Sequence, residues 1–217
     1  MEFGQAFSFQ FKDPDWFKKI AITALITLIP IIGWLYVLGY GLEITRRVIR
    51  HEAVILPDVD FGGFLGKGFQ LFIVQLVYSI PAFILSLPTS ILSPMIESGS
   101  ADETMTTAYW AIIACCSILQ IVFSLLLAFL LPAAMGRLAD TGSIGAALKV
   151  GDIFGLVRKA PVAFLLVLVG SFLAGLISGI GLIACIIGVF LTAVYAATIT
   201  SHLTGQAYLE ATGGQPV

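Results

Sequence analysis

Four long uncharged stretches interrupt the charged residues of this chain, and they restrict its fold more than any other feature. The 11 basic and 13 acidic side chains fall into short clusters. The uncharged stretches between them are residues 20–42, 68–96, 104–136 and 160–209. About 20 consecutive apolar residues suffice to cross the hydrocarbon of a bilayer, and a charge at its centre costs about 3 kcal/mol or more. The pattern therefore predicts an all-α membrane protein.

The composition supports this class and excludes others. The chain is 59% hydrophobic and 11% charged, whereas soluble domains carry roughly 25% charged residues. A net charge of −2 does not indicate a nucleic-acid partner. Cys115, Cys116 and Cys185 all lie in uncharged stretches, so we interpret them as apolar packing residues. We predict no disulfide, metal site or cofactor.

The distribution of basic residues predicts the orientation. Clusters 43–67 and 137–159 are rich in Lys and Arg, whereas cluster 97–103 is acidic. By the positive-inside rule the two basic clusters are cytoplasmic and the acidic one is outside. The resulting segments are a cytoplasmic loop at 49–67, a membrane helix at 68–90, an outside loop at 91–107, a membrane helix at 108–131 and a cytoplasmic loop at 132–160.

The last uncharged stretch is long enough for two helices. Gly179 and Gly181 lie near its middle, and glycine permits the tight backbone turn that a hairpin needs. We therefore predict a transmembrane hairpin over 161–203, with a cytoplasmic C-terminal tail at 204–217.

The first uncharged stretch has two interpretations. A single crossing at 20–42 would place the basic residues before it outside. Alternatively, Pro30 breaks the helix because proline removes a backbone hydrogen bond, and Gly33 loosens the same place. We favour this second interpretation, a broken helix or hairpin over 15–48 that keeps the N-terminus cytoplasmic. The aromatic-rich segment 1–19 is then expected to lie at the membrane interface.

Together these segments predict one integral membrane domain over residues 1–217. The fold is a polytopic helical bundle of about 4–6 membrane helices, with short amphipathic helices on the membrane surface. Ser143 is a candidate cap for one of them, beginning at Ile144. The expected location is the plasma or inner membrane.

Several short motifs resemble one known family. They are F-x-D-P-D-W-x-x-K (Phe11 to Lys19), L-I-P-I-I-G, G-Y-x-x-E (Gly39 to Glu43), R-R-V and L-P-D. This pattern is similar to the prokaryotic polytopic membrane proteins called domain of unknown function 4013. The similarity is strongest over residues 9–90, and a tryptophan expected just after Leu56-Pro57 is absent. The resemblance implies a multi-helix membrane domain and no site residues.

The sequence contains no motif for catalysis. The uncharged stretches hold no Asp, Glu, Lys or Arg, so a buried catalytic or proton-coupled site has few groups to use. We therefore predict a protein that is not an enzyme. Gln75 and Gln120 are the candidate intramembrane polar residues, and a small facilitator for an uncharged solute is the alternative function that they leave open.

The preferred prediction is a non-catalytic membrane module: an assembly partner, scaffold or lipid-interacting subunit of a membrane complex. Arg46, Arg47 and Arg50 are the candidate contacts to lipid head groups, because clustered basic residues beside a membrane helix attract anionic lipids. Glu43 has the helical spacing to pair with Arg46 or Arg47. Expected partners are membrane lipid and other membrane proteins.

Overall fold

The chain folds almost entirely into helices. The computed structural model describes residues 1–97 and 102–214, and within those ranges it has eight α-helices and no strand. The helices are α1 (Trp16–Thr27), α2 (Ile32–Ile49), α3 (Phe61–Glu97), α4 (Glu103–Thr141), α5 (Ile144–Ala147), α6 (Val150–Lys159), α7 (Pro161–Ile180) and α8 (Cys185–Thr212). Shorter 3-10 turns cover Phe3–Phe7, Phe9–Lys12 and Gly181–Ala184. The predicted all-α fold class is confirmed.

Three helical segments in the described ranges are long and apolar enough to cross a membrane. They are Phe61–Pro94, Glu103–Thr141 and Pro161–Ile183. The first two contain the predicted membrane helices 68–90 and 108–131, and the third contains the first limb of the hairpin predicted over 161–203. α3 and α4 extend beyond the uncharged stretches because a helix need not end where its charged residues begin. At the start of α3, for example, Asp60 Oδ1 accepts a hydrogen bond from the Gly63 amide at 3.0 Å. The other predicted crossings stay predictions. Residues 98–101 of the predicted outside loop and residues 215–217 of the predicted tail lie outside the described residues.

The chain divides into two compact units. One unit is the helical pair Gln75–Ala128, formed by the C-terminal part of α3 and the N-terminal part of α4. The other contains the rest of the chain. We call them the helical-pair unit and the main unit.

The first hairpin is present and turns at the predicted proline. α1 ends at Thr27 and α2 begins at Ile32. Gly33 sits so close to α1 that a Cβ there would overlap the Ile26 carbonyl oxygen. At the other end, Lys19 Nζ donates to the Leu56 carbonyl at 3.2 Å, which places the start of α1 beside the chain that follows α2. The two helices are therefore antiparallel. With only 12 residues, α1 is about 18 Å long, too short to cross about 30 Å of hydrocarbon.

A strained γ-turn closes this hairpin. Ile31 has φ 66° and ψ −57°, and the Ile32 amide donates to the Pro30 carbonyl at 2.7 Å. A γ-turn with positive central φ is rare and strained, and β-branched residues disfavour positive φ. The Ile31 side chain is 76% exposed, so it contributes little packing within the protein that would offset the strain.

Replacing Ile31 with glycine is therefore expected to stabilise the protein by about 1 kcal/mol, because glycine accepts positive φ without a steric penalty. Thermal unfolding of the detergent-solubilised protein, followed by tryptophan fluorescence, measures the change. Ile29→Gly is the matched control: Ile29 is 44% exposed and does not have positive φ. Stabilisation of both variants, or of neither, would contradict strain at Ile31.

The C-terminal hairpin is also present. α7 continues through Gly179 and ends at Ile180, so the break falls at Gly181. A Cβ on Gly181 would overlap the Thr192 hydroxyl, and that hydroxyl donates to the Ser178 carbonyl at 3.0 Å. Beyond the turn, α8 runs to Thr212, nine residues into the segment 204–217 predicted as a C-terminal tail, because residues 203–209 are buried against the protein.

α8 is the central helix of the main unit. It packs against α1, α2, α6 and α7 and against the N-terminal 3-10 segment. Gln10 Nε2 donates to Thr198 Oγ1 at 2.9 Å, and Tyr195 OH donates to the Phe7 carbonyl at 2.8 Å. Phe9 is 4% exposed. The N-terminal segment thus directs part of its aromatic and polar residues into the protein, and only some of them outward.

Candidate functional site

A buried carboxylate in α2 gathers three cations. Glu43 is 3% exposed. Its Oε1 accepts hydrogen bonds from Arg46 Nη2 at 2.7 Å and from Arg47 Nε at 3.3 Å. Its Oε2 accepts from Lys67 Nζ at 2.6 Å. The predicted helical pairing with Arg46 and Arg47 is confirmed, and Lys67 joins it from α3.

The surroundings of Glu43 keep it ionised. Burial by itself would raise the pKa of the carboxyl, but hydrogen bonds from Lys67 and Arg46 more than offset it, and the pKa lies below its ordinary value. An ionised Glu43 in turn holds the three cationic side chains in place. The cluster is therefore a preorganised array of positive groups around one negative centre.

A pocket of about 290 Å³ opens beside this cluster. α2, α3 and the end of α4 supply its walls, all from the main unit. The polar residues that line it are Glu43, Arg46, Arg50, Lys67, Gln70, Asp140 and Thr141. Three cations face two carboxylates, so the lining has a net positive charge.

The carboxylates of the pocket already have hydrogen-bond partners within the protein, whereas some of its basic groups do not. Asp140 accepts a hydrogen bond from Tyr208 OH at 2.8 Å, and Glu43 is held by its three cations. Arg46 Nε is buried with no hydrogen-bond partner. Arg50 takes part in none of the ion pairs formed by residues 1–97 and 102–214. The pocket therefore has spare donors for an anion.

The pocket lies near the ends of two uncharged stretches, 68–96 and 104–136. Lys67 immediately precedes the uncharged stretch 68–96, and Asp140 follows the end of stretch 104–136 by a few residues. Both stretches lie in helices that are candidate membrane spans. If these helices cross a bilayer, the pocket is expected at the level where lipid head groups meet the hydrocarbon.

The predicted site residues divide between this pocket and other places. Arg46 and Arg50 line the pocket. Arg47 reaches the same carboxylate, and its Nη1 also donates to the Val54 carbonyl at 3.0 Å. Gln75 and Gln120 belong to the helical-pair unit.

Sequence reasoning missed Lys67, Gln70 and Asp140 as members of one site. They come from helices distant in sequence, and no spacing rule links them to α2. One signal was available: Lys67 and Asp140 are among the charged residues nearest to the ends of uncharged stretches, so both had to lie near the membrane surface.

A second pocket of the main unit has balanced charges. It measures about 480 Å³ and lies between the N-terminal segment and the chain after α2. Within it Lys19 Nζ pairs with Asp13 Oδ2 at 2.7 Å, and Lys12 and Glu52 add one charge of each sign. This balance gives no preference for an anion or a cation. Among the described residues, no group of three His, Cys, Asp or Glu side chains is placed to hold a metal ion.

The helices and their hydropathy define the class: this is a polytopic α-helical membrane protein. The family described as "Protein of unknown function (DUF4013)" matches residues 22–203, and the chain belongs to that family. The resemblance noted from the motifs is therefore confirmed. No curated protein and no solved structure matches the chain significantly.

Proposed function

We propose that this protein is a non-catalytic membrane module that binds the phosphate of an anionic phospholipid in the pocket beside Glu43. The observation that carries the proposal is the combination of a free Arg50 with an unpartnered Arg46 Nε at the edge of the apolar helices. Basic pockets between membrane helices on the cytoplasmic side are suited to anionic head groups. By the positive-inside rule we place this pocket, with both chain termini, on the cytoplasmic side of a plasma or inner membrane.

The donor chemistry fits a phosphate. Guanidinium groups present several N–H donors in a planar fork that matches phosphate oxygens. Gln70 adds an uncharged donor on the same lining. A volume of about 290 Å³ holds several groups the size of water, at about 30 Å³ each, which leaves room for a phosphate and its ester oxygens.

The state of the carboxylates favours binding over catalysis. A general base must be free to take a proton from a reacting group. Glu43 is held by three cations, and Asp140 accepts from Tyr208. A bound phosphate would therefore meet donors and no available base. Such a module would act by holding lipid and partner proteins together.

The test is binding of a fluorescent phosphatidylglycerol to the full-length protein in mixed micelles, with phosphatidylcholine as the uncharged competitor. Arg50→Gln should weaken phosphatidylglycerol binding about tenfold, since a hydrogen bond to a charged group contributes about 1.5–3 kcal/mol. Wild-type protein should prefer phosphatidylglycerol over phosphatidylcholine.

Arg158→Gln is the matched control, because Arg158 is exposed on α6 and makes none of the described ion pairs. It removes the same charge and should leave binding unchanged. Equal weakening by both variants would show that only net charge matters and would overturn the pocket. Inorganic phosphate at millimolar concentration provides a second arm: displacement of the lipid by phosphate alone would show that the site binds free phosphate.

A further inference from the structure

A groove that contains several polar side chains lies midway along an apolar part of α4. In the helical-pair unit, residues of α3 and α4 form an open groove of about 310 Å³. Its lining combines the apolar Leu85 and Ile121 with Ser86, Thr89, Cys116, Ser117 and Gln120. Gln120 is the middle residue of the uncharged stretch 104–136, so in a bilayer it lies near the midplane.

The amide of Gln120 has unused hydrogen-bonding capacity. Ser86 Oγ and Thr89 Oγ1 donate to carbonyls of their own helix, each at 2.7 Å. The Gln120 side chain makes no hydrogen bond to any residue in the described part of the chain. No water is present in the bilayer core to replace such a bond, so an unpaired amide there is unfavourable.

The groove is open at the surface of the helical-pair unit. None of the residues in the most apolar 18-residue window of α4 is buried. Lipid chains can cover such a surface, but they cannot accept or donate a hydrogen bond. The Gln120 amide in this groove is therefore better covered by another helix that carries a donor and an acceptor.

We propose that a second copy of this chain covers the groove, with the two Gln120 amides paired across a two-fold axis along the membrane normal. A carboxamide carries both donors and an acceptor, so two copies satisfy each other without any further residue. The serines and Cys116 are small, which allows close approach of helices in a membrane. Cys116 lies one turn from Gln120 on the same groove, close to the proposed axis. This proposal does not depend on the lipid pocket, which lies in the main unit.

Single-molecule photobleaching of labelled full-length protein in liposomes, at high lipid-to-protein ratio, measures the dimer fraction. Wild type should give a two-step population. Gln120→Leu should reduce the dimerisation constant about tenfold or more, since each interhelical hydrogen bond in a membrane contributes about 0.6–2 kcal/mol and two are lost. Gln120→Asn, which retains the amide, should keep part of the dimer.

Gln75→Leu is the matched control, because Gln75 lies on α3 in the same unit but does not line this groove. It should leave the dimer fraction unchanged, and it also shows that an added leucine does not prevent folding. Single-step bleaching of wild type, or an unchanged dimer fraction in Gln120→Leu, would overturn the proposal.

Oxidative cross-linking provides a second readout with native cysteines. In membranes, an oxidant should give a disulfide-linked dimer that Cys116→Ser abolishes and Cys185→Ser does not. Cross-linking that persists in Cys116→Ser would place the axis elsewhere and contradict the geometry. Stoichiometric co-purification of a different membrane protein, lost in Gln120→Leu, would replace the second copy as the occupant.

Discussion

Replacing Gly39 with alanine is expected to lower the free energy of unfolding by about 3 kcal/mol, the upper part of the range for overpacking. A Cβ on Gly39 would overlap the carbonyl oxygen of Phe64 and lie 2.8 Å from the Gly68 amide nitrogen. Conversely, a Cβ on Gly68 would overlap the Leu35 carbonyl oxygen. α2 and α3 thus touch backbone to backbone. The obstacle is main chain on both sides, so the clash is relieved only if the helices separate.

Gly66→Ala is the control for this experiment. Gly66 lies on α3 two residues from Gly68, and nothing lies within 4 Å of a Cβ built there. Alanine is the better helix former by about 1 kcal/mol, so Gly66→Ala should be neutral or stabilising. Thermal unfolding in detergent, followed by the native tryptophans, compares the variants. Similar effects of the two substitutions would show that helix propensity, and not the close contact, decides the result.

Replacing Glu43 with glutamine should destabilise the protein by a similar amount, about 3 kcal/mol, the lower end for breaking a buried ion pair. The substitution leaves Arg46 and Lys67 with no counterion, and it leaves Arg47 with only its longer pair to Glu52 at 3.5 Å. The three cationic side chains are 22–34% exposed, so water screens part of the repulsion and the upper end of the range is not expected. Adding Lys67→Met to Glu43→Gln should recover part of the loss, because it removes one unpaired cation.

Glu52→Gln is the control for Glu43→Gln. Glu52 also pairs with Arg47, but at 3.5 Å and with its side chain 37% exposed. A pair of this kind contributes about 0–1 kcal/mol, so Glu52→Gln should have little effect. Equal losses in the two variants would contradict a special role for the buried carboxylate.

At acidic pH, wild type and Glu43→Gln should have the same stability. The pKa of Glu43 in the folded protein lies below its ordinary value of 4.5. Its stabilisation is therefore fully present above about pH 4.5, the ordinary value, and is lost as the pH falls through the folded value. The unfolding temperatures of wild type and Glu43→Gln should therefore approach each other as the pH is lowered from 7 to 3. A constant difference across this range would contradict the assignment.

Much of the fold follows from residue type alone. Uncharged stretches locate membrane helices because lipid excludes charge, and Pro30 locates the first turn because proline interrupts the helix ladder. Helix ends were harder to predict. α8 continues to Thr212 because Leu203, Ala207 and Tyr208 are buried. Tertiary packing of that kind cannot be recognised from the residues near a helix end.

The candidate site could be predicted only in part, for the same reason. Arg46 and Arg50 belong to one basic run on one helix, and that run is visible in the sequence. Lys67 meets Glu43 across 24 residues, and Asp140 comes from a third helix. The amphipathic pattern shows that such residues lie near the membrane surface, but the packing of α2 against α3 decides which of them meet.

The short first hairpin has a consequence for biogenesis. α1 is too short to be released into lipid as a transmembrane segment. The last turn of α2 carries Arg46 and Arg47, which are expected to stay at the membrane surface. A nascent chain that has exposed only α1 would have no stable position in the bilayer. We expect residues 16–49 to partition together, after α2 has left the ribosome, with the apolar tip at Ile31 entering first.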